Sequence, residues 1–193
     1  MLVAAAYNLH SLQNVGSIFR TADGAGFGRV LLAGHTGSLP DKRISKVALG
    51  AEEALESRHV GDLHGLLREL EGAFVILLEQ AADSVPPTDL PPLPDDRDIV
   101  LVACDELYGA GPELVERADA IVELPMRGMK QSLNVAIAWG IAAYAIADRI
   151  EPFTVEGLRS RQPARPVRDG VLTRGRTAGE VPGVDPHGGS GTP

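Results

Sequence analysis

Cysteine and aromatic residues are scarce in this chain. A single cysteine, Cys104, occurs among the 193 residues. One cysteine cannot form an internal disulfide, and it excludes a metal site built from several thiolates, so no metal site is predicted. A protein without disulfides is typical of the cytoplasm, where we expect this one to act. Since aromatic residues make up only 4% of the sequence, the core is predicted to consist of Val, Leu, Ile and Ala.

Long apolar segments are lacking as well. The longest uncharged stretch, residues 131–147, falls short of the roughly 20 apolar residues that a membrane-spanning helix needs. We therefore expect a buried core helix there and no contact with a membrane. The N-terminal residues show neither the basic leader nor the long apolar run of a secretory signal, so no export signal is predicted.

Excess positive charge is also absent. The formal net charge is −8, which argues against binding nucleic acid through bulk positive charge, because such binding depends on many Lys and Arg contacts to phosphates. A local basic patch remains compatible with this balance.

What the sequence does contain is a regular alternation of strand and helix patterns. Continuous apolar runs at 74–79 and 99–104 are typical of strands buried on both faces of a sheet. Further strands are predicted at 2–7, 29–34, 58–60 and 120–125. Helices are predicted from Val15 to the glycines at 24 and 26, and at 41–55, 63–72, 112–118 and 132–149. The alternation predicts an α/β fold with a mostly parallel sheet and helices on both faces.

Composition divides the chain into a domain and a tail. Residues 1–153 carry all the predicted elements, with an exposed proline- and acid-rich connection at 84–98. Residues 154–193 are rich in Gly, Pro and Arg and poor in large apolar residues. Such a segment cannot bury enough surface to offset the entropy lost on ordering, so we predict that it is largely disordered.

Polar residues follow the first predicted strand, at the edge where parallel sheets bind ligands. The segment NLHSLQNVGSIFRTADGAGFG carries Asn14 and Arg20. Asn14 lies where a side chain can cap a helix, and Arg20 is placed either to pair with Asp23 or to act in a site. The GAGFG glycines do not match a dinucleotide-binding fingerprint, in which they would follow a strand and precede a helix.

A second polar segment, DELYGAGPE, follows the strand at 99–104. It puts Glu106 at the same edge of the sheet, and Gly109 and Gly111 allow the backbone to approach a ligand closely. An ordinary acidic turn before a helix is an equally compatible interpretation.

A third polar segment, MRGMKQSLN, follows the strand at 120–125. Ser132 and Asn134 fall at the start of the last helix, where backbone N–H groups are free and the helix dipole is positive. Ser132 either caps this helix, or both side chains form the polar floor of a pocket.

Taken together, these segments resemble a known family. NVGSIFRTADGAG, CDELYGAGPEL and ELPMRGMKQSLNVAIA resemble the three motifs of the SpoU, or TrmH-like, branch of the SPOUT methyltransferases, and KVALGAEEAL resembles the segment between the first two. The resemblance covers residues 2–150. It implies transfer of a methyl group from S-adenosylmethionine to a ribose 2′-hydroxyl of tRNA or rRNA. It also implies a C-terminal part threaded into a deep trefoil knot, and a homodimer with active sites at its interface.

The resemblance assigns roles to individual residues. The matching catalytic positions are Asn14, Arg20, Glu106, Ser132 and Asn134. The positions implied to line the cofactor pocket are Leu78, Cys104, Gly109, Leu124, Met126, Ser132 and Leu133. The basic residues expected to bind RNA are Arg20, Lys42, Arg43, Lys46, Arg127 and Lys130.

Three residues depart from the family pattern. Cys104 and Asp105 stand where the second motif commonly has a glycine followed by an asparagine, and Tyr108 is bulky for this loop. Side chains at these positions can crowd the cofactor, so we expect an effect on cofactor affinity.

The implied role of Arg20 needs a physical restriction. A guanidinium keeps its proton up to about pH 12 or higher, so Arg20 is not a simple base. We expect it to hold the adjoining phosphate and to stabilise alkoxide charge, while the phosphate or water takes the proton. Two alternatives stay open: a catalytically silent knotted protein that binds RNA or cofactor, and a nucleotide-binding oxidoreductase.

Overall fold

A single parallel sheet organises the protein, for which the computed structural model describes residues 1–157. Its strands are β1 (Leu2–Tyr7), β2 (Arg29–Ala33), β3 (Glu56–His59), β4 (Phe74–Leu78), β5 (Ile99–Ala103) and β6 (Ala120–Val122). They lie in the order β3-β2-β1-β5-β4-β6, and every neighbouring pair is parallel. The predicted parallel α/β sheet is confirmed.

Helices cover both faces of the sheet, as predicted. They are α1 (Leu12–Ala25), α2 (Lys42–Ala48), α3 (Ala51–Ala54), α4 (Leu63–Glu69), α5 (Pro112–Arg117) and α6 (Val135–Ile150), with a short 3₁₀ turn at Pro87–Asp89. Side chains of α1, α2 and α6 pack with one face of the central strands, and those of α4 and α5 pack with the other. The central strands are apolar on both sides because both of their faces are buried.

Helix boundaries differ from those predicted. The helix predicted at 41–55 is two helices, because Leu49 and Gly50 adopt left-handed conformations with φ of 55° and 94°. α1 continues through Gly24 and ends at Gly26, whose φ of 84° suits glycine. α6 begins at Val135 and not at Ser132. In each case a local backbone turn sets the boundary, and the spacing of apolar residues does not predict such a turn.

α6 is the predicted core helix. Trp139 is 0% exposed, and its Nε1 donates a hydrogen bond to the carbonyl of Leu101 in β5 at 3.2 Å. Its ring packs on Phe27 with 5.1 Å between ring centroids. Within residues 1–157, no helix is long and apolar enough to cross a membrane. The tail predicted at 154–193 lies almost wholly outside the described residues, so its disorder stays a prediction.

Candidate active site

A cleft of about 700 Å³ opens at the carboxyl edge of the sheet. The loops that follow β4, β5 and β6 surround it, together with the start of α6. It is lined by all the positions that the sequence predicted to contact a cofactor: Leu78, Cys104, Gly109, Leu124, Met126, Ser132 and Leu133. Three of the predicted catalytic positions, Glu106, Ser132 and Asn134, line it as well.

A chain of hydrogen bonds joins the three polar segments at the mouth of this cleft. The Nδ2 group of Asn14 donates to Glu106 Oε1 at 2.9 Å. The Nδ2 group of Asn134 donates to Asn14 Oδ1 at 3.0 Å. Residues that are far apart in the sequence therefore meet at one point, and the polar start of α6 is explained by these partners.

The helix caps are not the residues that the alternative interpretations suggested. Ser11, not Asn14, caps α1, because the Asn14 amide donates to Ser11 Oγ at 3.3 Å. Asn134, not Ser132, caps α6, since Asn134 Oδ1 accepts from the amides of Ala136 at 3.0 Å and Ile137 at 3.3 Å. Asn134 thus caps α6 with its oxygen and holds Asn14 with its nitrogen.

Glu79 is a site residue that the sequence interpretation missed. Its Oε2 accepts a hydrogen bond from the amide of Ala110 at 2.8 Å, and its Oε1 accepts one from the amide of Gln80 at 2.9 Å. Gly109 has a φ of 65°, and a Cβ added there would lie 2.6 Å from Glu79 Oε2. Glu79 therefore fixes the cleft wall at 109–110. Its position directly after β4 was the available signal.

The loop after β5 is held by Asp105. Its Oδ1 accepts hydrogen bonds from the amides of Leu107 at 2.7 Å and Tyr108 at 3.0 Å. Its Oδ2 lies 3.2 Å from His10 Nε2, and the His10 amide donates to Glu106 Oε2 at 3.2 Å. Burial opposes ionisation, but these hydrogen bonds outweigh it and hold the pKa of Asp105 below its usual range.

Cys104 lies buried in the wall of the cleft. Burial raises the pKa of its thiol well above the usual value, and the carboxylates of Glu79 and Asp105 add to the effect. The side chain is therefore a neutral thiol and not a reactive thiolate.

Negative charge dominates the cleft. Its lining includes the carboxylates of Glu79, Asp105, Glu106 and Glu123. Among the described residues that line it, there is no Lys or Arg. Such a lining favours a ligand with positive charge and disfavours one with phosphates.

Comparison with known proteins assigns the family. Residues 1–144 match the model of the SpoU rRNA methylase family. This chain belongs to that family.

Relatives of this SpoU-family chain include named RNA methyltransferases. It is 32% identical over 133 residues to the 23S rRNA (guanosine-2′-O-)-methyltransferase RlmB of Haemophilus ducreyi, covering 69% of this chain and 54% of that protein. A segment of 45 residues, 23% of this chain and 21% of the relative, is 56% identical to the tRNA (guanosine(18)-2′-O)-methyltransferase of Aquifex aeolicus. The chain spans a little over half the length of the first curated relatives it matches.

Solved structures share the fold. The AdoMet-bound rRNA methyltransferase from Sinorhizobium meliloti superposes with a TM-score of 0.70 at 26% identity, covering 78% of this chain and 56% of that one. The A. aeolicus TrmH/SpoU tRNA modifying enzyme superposes with a TM-score of 0.68 at 28% identity, covering 82% and 78%.

Arg20 lies apart from the cleft of this SpoU-family chain. It is exposed on α1 and is not among the residues that line the cleft. Six positions separate it from Asn14, which is about 9 Å along a helix axis. Among the described residues it forms no ion pair, so the alternative pairing with Asp23 is not formed.

The other predicted RNA-binding residues are also exposed. Lys42 and Lys46 lie on α2, whereas the Arg43 guanidinium binds Asp41 at 2.8 Å. That contact lowers the pKa of Asp41 to about 2. Arg127 and Lys130 lie in the loop between β6 and α6, beside the cleft.

A second concave surface, the α1/α6 groove, lies next to the hydrogen-bonded asparagines. Its volume is about 670 Å³. The residues that line it are Gln13, Asn14, Ser17, Thr21, Asn134, Ala136, Ile137, Gly140, Ile141 and Tyr144. Ile137 and Ile141 are 56% and 49% exposed, so α6 presents apolar surface outside the core.

Proposed function

We propose that this SpoU-family chain transfers a methyl group from S-adenosylmethionine to a ribose 2′-hydroxyl of tRNA or rRNA. The observation that carries the proposal is the Glu106–Asn14–Asn134 hydrogen-bonded chain at the mouth of an acidic cleft. The relatives named as RNA 2′-O-methyltransferases support it. We also propose that the protein acts in the cytoplasm, since tRNA and rRNA are found there.

The composition of the cleft fits the cofactor. S-adenosylmethionine has a positive sulfonium and a positive ammonium group, which suit the carboxylates of the lining. Leu78, Leu124 and Leu133 supply apolar surface for the adenine ring. When bound, the cofactor supplies the methyl group. The pyrophosphate of a nicotinamide cofactor would face four carboxylates without a compensating Lys or Arg, which disfavours an oxidoreductase.

The residues of the chain have distinct roles in this proposal. Glu106, Asn14 and Asn134 hold the three polar segments in one arrangement, so that little reorganisation is needed when the reactants bind. Ser132 faces the same cleft. Arg20 holds the phosphate next to the reacting ribose and stabilises charge on its oxygen. Basic residues of α2 and of the loop before α6 bind the surrounding RNA: Lys42, Arg43, Lys46, Arg127 and Lys130.

A homodimer would bring Arg20 to a cleft. On α1, Arg20 follows the stripe of Gln13 and Ser17, which line the α1/α6 groove. We propose that a second copy of the chain covers this groove. The contact buries Ile137 and Ile141 and brings Arg20 to the cleft of the partner. Ile141→Asp should yield monomers in analytical ultracentrifugation, while the exposed Leu49→Asp should not.

The trefoil knot is the remaining part of the proposal. α6 follows the edge strand β6, yet it packs against α1 and β5. The side chain of Gln80, after β4, donates to the carbonyl of Gln131 at 2.8 Å, so the segment before α6 passes the loop after β4. These contacts support threading of α6 past that loop. An experimental structure that traces residues 79–150 tests it.

Removal of the guanidinium tests the function. Arg20→Ala should lower methylation of RNA by about 100-fold or more while cofactor affinity, measured by calorimetry, is retained. Arg68→Ala, at an exposed position of α4, is the matched control. Nucleoside mass spectrometry of RNA incubated with the protein identifies the product. A wild-type protein that binds S-adenosylmethionine but methylates no RNA would contradict the proposal and support the silent alternative.

A further inference from the structure

We propose that His10, in place of the phosphate or water expected from the sequence, accepts the proton of the ribose 2′-hydroxyl, with Asp105 as the residue that positions it. This inference rests on the proposed function. His10 lies between β1 and α1, and its ring and its amide contact the two acidic residues that follow β5: Nε2 is 3.2 Å from Asp105 Oδ2, and the amide is 3.2 Å from Glu106 Oε2.

The reaction needs a proton acceptor, and four of the five predicted catalytic residues do not supply one. Arg20 keeps its proton at any physiological pH. Glu106 already accepts hydrogen bonds on both oxygens, from the Asn14 side chain and the His10 amide. The amides of Asn14 and Asn134 are not bases. Histidine ordinarily titrates between roughly pH 5 and 8, which suits a general base.

Asp105 holds the ring of His10 through one nitrogen. The Asp105 side chain is 7% exposed and is fixed by two backbone amides, whereas the His10 side chain is 56% exposed. A carboxylate only accepts hydrogen bonds, so the neutral ring carries its proton on Nε2 and donates it to Asp105. Nδ1 then holds a lone pair, and within residues 1–157 the hydrogen bond of the ring is the one through Nε2. A carboxylate that holds one ring nitrogen while the other takes the proton is the arrangement of catalytic triads.

The proposed step balances in atoms and charge. The 2′-oxygen forms a bond to the methyl carbon as the bond from that carbon to sulfur breaks, and S-adenosylhomocysteine leaves as a neutral sulfide. The 2′-hydroxyl proton goes to Nδ1 of His10, which becomes an imidazolium beside the Asp105 carboxylate. Solvent then takes the proton from the exposed ring.

The surroundings of His10 set the expected pH dependence. Titratable groups on the neighbouring loops are Asp105, Glu106 and Tyr108 after β5, Glu79 after β4 and His35 after β2. The base acts in its neutral form, so the methylation rate should rise with pH and then level off.

The tautomer can be measured without cofactor or RNA. Long-range ¹H–¹⁵N spectra of the ring, assigned with His10→Gln, should show the neutral tautomer with the proton on Nε2. A neutral ring protonated on Nδ1 would overturn the proposal, because that nitrogen could not then accept a proton. In Asp105→Asn the preference for the Nε2 proton should weaken.

Single-turnover methylation at saturating cofactor is the second test. His10→Gln should lower the rate by about 100-fold or more and abolish its rise with pH, while cofactor affinity and the melting temperature stay unchanged. His35→Gln, at an exposed histidine of a neighbouring loop, is the control. If His10→Gln does not fold, Asp105→Asn replaces it and should show a lowered rate. A His10→Gln protein with the wild-type rate and pH profile would refute the inference alone, whereas an inactive wild-type protein would refute the proposed function.

Discussion

Gly109 is the position where a single methyl group should most affect cofactor binding. Gly109→Ala puts a Cβ on a residue with a φ of 65°, 2.6 Å from Glu79 Oε2 and 3.2 Å from Glu79 Cδ. The carboxylate must move, and it then loses the 2.8 Å hydrogen bond from the Ala110 amide. Because Gly109 and Ala110 both line the cleft, the expected result is a displaced wall.

The magnitude follows from these two effects. A side chain in the left-handed region costs about 1–2 kcal/mol. A hydrogen bond to a charged group contributes about 1.5–3 kcal/mol. We take about 3 kcal/mol as the free energy needed to restore the binding conformation. Each 1.4 kcal/mol changes a Kd about tenfold, so the Kd for S-adenosylmethionine should rise about 100-fold.

Isothermal titration calorimetry with S-adenosylmethionine measures the effect. Gly111→Ala is the matched control in the same loop, because its φ is −69° and the nearest atom to a new Cβ is the flexible Glu113 Oε2 at 3.3 Å. Glu79→Ala should also weaken binding, and the double variant with Gly109→Ala should lose less than the two losses combined, because both changes remove the same contact. Wild-type affinity in Gly109→Ala, or equal losses in Gly109→Ala and Gly111→Ala, would refute the reasoning.

Three further predictions concern stability and reactivity. Asn134→Ala removes the cap of α6 and the bond to Asn14, so the free energy of unfolding in urea should fall by about 1 kcal/mol or more. The pKa of Asp105 is lowered in the folded state, so its stabilisation is complete above the unfolded value of about 3.9 and is lost as the pH falls below it. Asp105→Asn should therefore flatten the dependence of melting temperature on pH in this acidic range. Because Cys104 is buried and the pKa of its thiol is raised, iodoacetamide should alkylate it slowly at neutral pH and fast in urea. Mass spectrometry measures the extent of alkylation.

The strands were the most predictable part of the fold. Residues 74–78 and 99–104 are apolar at every position, which is typical of short strands buried on both faces. The break at Leu49 and Gly50 was not predictable from periodicity, because the apolar positions on either side continue the same helical face. The start of α6 was also misplaced, since Ser132 and Asn134 are both good caps and only tertiary contacts select the second.

The candidate site was predictable where a segment follows a strand. Glu106, Ser132 and Asn134 were placed at the carboxyl edge because parallel strands end together there. The pairing of Asn14 with Asn134 depends on how α1 and α6 pack, which sequence spacing does not give. His10 and Glu79 were overlooked because a lone polar residue after a strand has no spacing pattern. Their partners come from distant loops.

The burial of Trp139 has a practical consequence. It is the only tryptophan in the chain, so its fluorescence reports on one place, the contact of α6 with Leu101 and Phe27. Release of α6 from the sheet would expose the indole to water and shift its emission to longer wavelengths. A stopped-flow fluorescence trace on the unmodified protein therefore times the docking of the helix whose first turn completes the cleft.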